Sequence, residues 1–315
     1  MMDATHKIQE ISRRLLEKGT VDKIIGYQKG SLPMMNIPCV IRNPADAGRL
    51  VWDSHCRLNL ANYLGNTQER IGIIAKGCDS RNIVTHILEN RIQREQMVII
   101  GVPCTGMADK WKMSTLVDGE VVAVTEADGN ITVTSVSDEK TIPRDQVLQG
   151  NCAICIHHSP VIYDELAAEL VEEPKNVDRH ESIRKIEAMS PDDRWRFFDD
   201  LLSSCTRCYA CRNACPLCYC PTCFVDESRP QWVGKGMDPV DIRAYHFLRA
   251  FHCAGRCTDC GACEAACPIG IPVRLLTQKL EKDCFDQFKW TAGLSPDQRP
   301  ALDTHTPNDP NDFIK

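Results

Sequence analysis

What the chain lacks narrows it first. Aromatic residues make up 6% of its 315 residues. No stretch approaches the roughly 18 consecutive apolar residues that cross a bilayer, so no direct membrane span is expected. The opening residues, Met1 to Gly19, are charged and have no apolar core of a secretory signal. No Lys/Arg-rich block occurs and the formal charge is −6, which sets nucleic-acid partners aside. G-x-G-x-x-G and Walker A loops are both missing, so any nucleotide would need a less familiar loop set.

Cysteine, by contrast, is abundant: nineteen residues. Thiols at metal-ligand spacing, without an export signal, predict a reducing cytoplasm. The run Cys205-x2-Cys208-x2-Cys211-x3-Cys215-Pro216 recurs as Cys257-x2-Cys260-x2-Cys263-x3-Cys267-Pro268. Three thiolates so spaced wrap one iron–sulfur cube, while the turn before proline carries the fourth away. In two-cluster ferredoxins that fourth Cys ligates the other cluster. One [4Fe–4S] cluster is therefore expected on Cys205, Cys208, Cys211 and Cys267, and a second on Cys257, Cys260, Cys263 and Cys215. Zinc or chance would account for one such run, but two copies with both prolines leave little room for either. Electron transfer is the expected work.

The pattern along the chain predicts an α/β N-terminal domain with a small, partly parallel sheet, followed by a mainly α-helical dicluster ferredoxin domain. Residues 5–17 carry Ile8, Ile11, Leu15 and Leu16 at helical spacing. Ile71–Ala75 and Met97–Val102 have strand length, and between them Asp79 or Ser80 caps a helix, which makes a parallel βαβ unit. Val121–Thr125 and Ile131–Val136 flank Asp128-Gly129-Asn130 and read as a hairpin. Residues 1–171 form the expected redox domain and 172–190 a linker. Helices at Pro191–Leu202, Pro239–Phe251 and Pro272–Phe288 surround the cysteine runs within a domain of residues 191–290. Residues 291–315 read as a disordered or partner-binding tail.

Cys78 follows the first strand of the βαβ unit and Cys104 the second, so both belong at the carboxyl edge of one sheet, where such sheets place ligands. With Cys152 and Cys155 they make a candidate third [4Fe–4S] site; the alternative is a set of inert buried thiols. Cys218, Cys220 and Cys223 are dense but one short of a cluster, with Cys253 a possible fourth. Cys39, Cys56 and Cys284 read as core or surface thiols, and His157-His158, beside Cys155, as a solvated loop pair, the alternative being a ligand or a donor to one. Lys76, Gly77 and Arg81 at a helix N-terminus, with Gly101 and Gly106 at the next strand end, form a candidate anion site for a flavin phosphate. The alternative is ordinary turns with Lys76 in solvent.

Lys76-Gly77-Cys78-Asp79-Ser80-Arg81, Ile100-Gly101-Val102-Pro103-Cys104 and Asn151-Cys152-Ala153-Ile154-Cys155 resemble the beta subunits of coenzyme F420-reducing hydrogenase and F420-dependent formate dehydrogenase. Arg212-Asn213-Ala214-Cys215-Pro216-Leu217-Cys218-Tyr219-Cys220 is similar to the ferredoxin part of the formate dehydrogenase type. The resemblance covers most of residues 25–290. It implies iron–sulfur clusters, often FAD, and a catalytic formate dehydrogenase or hydrogenase partner. The expectation is an electron-transfer subunit of a cytoplasmic oxidoreductase complex, a wire with cubes alone and a converter with FAD. Two alternatives are a heterodisulfide-reductase-like thiol catalyst in a complex of that kind, whose Cys-Cys-Gly signatures are missing, and a non-catalytic docking or sensing module.

Overall fold

Ile8, Ile11 and Leu15 share one face of α1 (Met2–Glu17) and are buried against the first sheet. The computed structural model describes residues 2–65, 67–300, 302–304 and 307; of the expected tail, residues 301, 305, 306 and 308–315 lie outside the described residues. After α1 come β1 (Lys23–Lys29), β2 (Asn36–Ile41) and β3 (Ile71–Ala75). The sequence Ile-Gly-Ile-Ile-Ala of β3 is buried at every position, as a strand covered on both faces must be. Next are α2 (Gly77–Leu88) and β4 (Met97–Gly101), which pairs parallel to β3 with Ile73 opposite Ile99. The expected βαβ unit is present. Its helix starts earlier than either expected cap, because the Asp79 carboxylate reaches back to accept from the Lys76 N–H at 3.1 Å.

The short α3 (Lys110–Ser114) leads into β5 (Val121–Ala127) and β6 (Asn130–Ser135). Asp128 and Gly129 turn this hairpin at φ 49° and 76°, the left-handed pair that a two-residue turn requires. A strand not foreseen, β7 (Glu139–Pro143), pairs with β6 in a three-stranded antiparallel sheet. Ile131 and Val133 of that sheet share a small core with Met113 and Val147. Beyond α4 (Gly150–Ala153), β8 (Glu165–Leu166) completes a five-stranded sheet ordered β2-β1-β3-β4-β8. Its β1, β3, β4 and β8 are parallel, and β2 runs antiparallel at the edge.

From there on the regular elements among the described residues are helices. They are α5 (Glu181–Glu187), α6 (Pro191–Leu202), α7 (Ala210–Asn213), α8 (Pro239–His252), α9 (Ala262–Ala265) and α10 (Arg274–Phe288). Ser190 caps α6 by accepting from the Asp193 N–H at 3.1 Å. The chain after α10 runs past the second cysteine run and back to the end of α2. Trp290 Nε1 donates to the Gly255 carbonyl at 2.7 Å, and Arg299 donates to the Leu88 carbonyl at 3.2 Å. Among the described residues no helix is long and apolar enough to cross a membrane.

Candidate functional site

The two cysteine runs fold into matching loops. Arg207 and Tyr209 in the first have φ of 49° and 60°, and Asp259 and Gly261, at the same places in the second, have 57° and 71°. Left-handed backbone is costly away from glycine, so its repetition marks a shape the site demands. In that shape the Arg207 N–H donates to Cys205 Sγ and the Asp259 N–H to Cys257 Sγ, both at 3.4 Å. The third cysteine of each run, Cys211 or Cys263, rides on the short helix that follows, α7 or α9.

One cavity is lined by Cys205, Cys208, Cys211 and Cys267. Another is lined by Cys257, Cys260, Cys263 and Cys215, with Cys253 beside them. The fourth cysteine of each run thus faces the cavity of the other. Helix α8, from the insertion between the runs, brings His246 Nε2 to 3.3 Å from Cys205 Sγ and Tyr245 Oη to 3.4 Å from Cys211 Sγ.

Cys78, Cys104, Cys152 and Cys155 line a third cavity, at the carboxyl ends of β3 and β4. The Gly106 N–H donates to Cys104 Sγ and the His157 N–H to Cys155 Sγ, both at 3.4 Å. Gly106 has φ 107°, and a Cβ there would stand 3.2 Å from that of Cys152. Cations surround these thiols: Arg57, Lys76, Arg81 and Arg179 all line the cavity. Thr258, Asp259 and Cys260 of the second run line it too, so the second and third cavities adjoin. Gly261 permits this approach, since a Cβ there would lie 2.2 Å from Asn151 Oδ1.

The donor sets suit iron–sulfur clusters: all sulfur, enclosed except at the exposed Cys208, and supplied at Cys104, Cys155, Cys205, Cys257 and Cys267 with N–H groups that favour thiolate. Burial pushes the Cys104 thiol up to about 11, Cys260 to about 11 and Cys152 to about 12. Burial also raises Cys78 and Cys263 well above the ordinary thiol range. Thiols so reluctant to ionise alone are deprotonated outright by a coordinated metal.

The expected flavin-phosphate site is filled by the chain itself. The Lys76 ammonium donates to Leu58 O at 2.7 Å, Asp79 Oδ2 at 2.8 Å and Tyr27 Oη at 3.3 Å. Burial opposes that charge, but Asp79 and Tyr27 hold its pKa well above the ordinary value. Arg81 is spent on the Ala292 and Thr258 carbonyls. A Cβ on Gly77 would meet His157 O at 2.1 Å, and one on Gly101 would meet Pro160 at 2.9 Å. Gly106 faces Leu148 and Cys152. These five residues therefore fit no flavin phosphate, and Lys76 does not face solvent.

Other expectations divide. Cys56 and Cys284 are buried and Cys39 is half-buried. His157 is no solvated loop residue: its Nε2 is buried without a partner and burial lowers its pKa to about 3. Sequence reasoning missed Arg57, Arg179, Tyr245 and His246. Tyr245, His246 and Arg249 are polar groups on the buried face of α8, and a helix with such a face signals a lined site.

No family model matches the chain. The beta subunit of F420-dependent formate dehydrogenase from Methanocaldococcus jannaschii is 23% identical, covering 91% of this chain and 91% of its own. The beta subunit of F420-dependent formate dehydrogenase 1 from Methanococcus maripaludis is 22% identical, covering 94% of this chain and 92% of its own. Among solved structures, a chain of the F420-reducing NiFe hydrogenase complex from Methanosarcina barkeri matches 50% of this chain and 59% of that one at 17% identity; its TM-score of 0.37 is too low to bear on the fold. The chain is similar to the F420-dependent formate dehydrogenase beta subunits along nine-tenths of its length.

Proposed function

We propose that the chain is an iron–sulfur electron-relay subunit of an oxidoreductase complex, working beside a catalytic subunit of the formate dehydrogenase or hydrogenase type. Kinship supports a redox subunit, and nineteen cysteines suit iron–sulfur chemistry. The observation that carries the reading is the gathering of the thiols around three cavities, each lined by at least four cysteines, with Cys260 shared between two of them and Cys253 beside the second quartet.

The residues that would hold the clusters are Cys205, Cys208, Cys211 and Cys267; Cys257, Cys260, Cys263 and Cys215; and Cys78, Cys104, Cys152 and Cys155. Such clusters supply one-electron transfer at potentials set by charge, hydrogen bonds to sulfur and exposure. The chain's own groups set those terms. Arg57 and Arg81, which pair with no carboxylate among the described residues, offset the negative charge of the thiolate site at the sheet edge, whereas Lys76 and Arg179 are already matched by Asp79 and Glu281. His246 and Tyr245 reach the sulfurs of the first run instead. Because Asp259 and Cys260 line two cavities, the relay would step from the sheet edge to the second run, and the interleaved fourth cysteines would carry it on to the first. Flavin chemistry is not assigned to this chain, since the residues expected to hold it are otherwise engaged.

Anaerobic co-purification with native partners, followed by iron and flavin counting, tests the reading. About twelve irons per chain and no flavin on this subunit are expected. Zinc in place of iron would overturn it.

A further inference from the structure

Cys215, Cys218 and Cys253 place their Sγ atoms within 4.8 Å of one another. Cys215 belongs to the second quartet; the other two belong to none. Cys253 is buried and lines the cavity of Cys257, Cys260 and Cys263. Cys218 instead lines a separate cavity of about 520 Å³, with Cys220 and Cys223. This pair of thiols therefore spans the wall between the relay and an open chamber. Arg212, Arg249 and Arg256 line that chamber as well. Arg212 pairs with Asp226 and Arg256 with Glu89, while the buried Arg249 donates to the Cys211 carbonyl at 3.1 Å; with Asp226 the one carboxylate in the lining, the chamber is net positive. Three thiols and a surplus cation in an open chamber suit a sulfur ligand of negative charge.

We infer that Cys218 and Cys253 form a thiol–disulfide exchange site that reduces an anionic disulfide held in this chamber, drawing on the relay proposed above. The Cys218 thiolate attacks one sulfur of the bound disulfide R–S–S–R, forming Cys218–S–S–R and releasing RS⁻. Cys253 then loses its proton and displaces the second RS⁻, which leaves a Cys218–Cys253 disulfide. Two electrons taken singly from the iron–sulfur relay, with two protons, restore the dithiol. The sum is one disulfide, two electrons and two protons giving two thiols. Side-chain rotation brings the two sulfurs from their present spacing to the bonded distance of about 2.05 Å.

The test uses the full chain, purified anaerobically, with oxidised glutathione as the anionic disulfide and peptide mass spectrometry as the readout. The native chain is expected to acquire a Cys218–Cys253 cross-link. Cys253→Ser should trap glutathione on Cys218, and Cys218→Ser should show neither product, with iron content equal in all three. Absence of the cross-link, or glutathione on Cys220 or Cys223 with Cys218 untouched, overturns the inference. So does loss of about four irons in Cys253→Ser, which would make Cys253 a cluster ligand. A cross-link formed in a chain that holds no iron would instead sink the relay and leave the exchange site standing.

Discussion

Arg81, in the first turns of α2, donates from Nε and Nη2 to the carbonyl of Ala292, 211 residues further along, at 3.1 and 2.8 Å. Its Nη1 holds the Thr258 carbonyl at 3.1 Å. One guanidinium thus ties the sheet edge to the second cysteine loop and to the chain after α10. Arg81→Ala would strip buried carbonyls of their donors and cost about 3 kcal/mol, since hydrogen bonds to charged groups exceed neutral ones. Arg81→Lys restores the charge without the planar fork and should recover only part of this. Urea unfolding of the three proteins measures the difference.

The Lys76–Asp79 pair is fully buried, with its closest atoms at 2.8 Å. Asp79→Asn leaves an ammonium inside the protein with no counter-charge, at a cost of about 3–5 kcal/mol. Adding Lys76→Met to that variant should lower the cost, because no orphan charge remains. A chemical-denaturation cycle over the two sites reads the coupling, and a double variant less stable than Asp79→Asn alone would contradict it.

His86 carries a pH dependence. Its Nε2 lies 2.8 Å from the Pro216 carbonyl, so this nitrogen bears the proton in the neutral ring, and its buried Nδ1 has no partner. Burial lowers its pKa below the ordinary histidine value. The unfolded chain then binds more protons than the folded one as pH falls below about 6.5, so stability drops across that range. Urea midpoints between pH 7.5 and 5 should fall in the native protein and fall less steeply in His86→Gln.

The exchange of fourth cysteines has a spectroscopic signature. Cys208→Ala and Cys267→Ala should remove the same cluster signal, with loss of about four irons each, although they lie in different runs. Cys215→Ala should remove the other signal. Paramagnetic resonance of the dithionite-reduced variants, with iron counts, checks the pairing. A signal lost run by run would show that each run keeps its own fourth ligand.

Much of the fold was legible where local pattern and burial coincide. Ile71–Ala75 and Met97–Gly101 are apolar runs of strand length, and the Asp128-Gly129 turn announces its hairpin. Strand β2 hid because Pro38 and Cys39 sit on a sheet edge, where proline is tolerated but reads as loop. Strand β8 has two residues, too few for any period. The cysteine quartets were readable from spacing and from position at strand ends. The cations of the third cavity were not, because Arg57 and Arg179 arrive from distant segments. Sequence alone makes Lys76 an open anion binder, although Asp79 three residues on signals that its charge is already matched.

Neither ferredoxin-type cavity has its four thiols until the second run is made, since Cys267 supplies the last for the first cavity and Cys263 for the second. The chain emerging from the ribosome therefore carries a half-built thiol cup at Cys205 to Cys211 through the whole of the intervening insertion. Metal loaded early would find three sulfurs and an open side. On the proposed reading the sheet-edge quartet is complete by Cys155, whereas iron for the two interleaved sites would wait for the last fifth of synthesis or be guarded until then. The interleaving sets a timetable for maturation as well as a geometry.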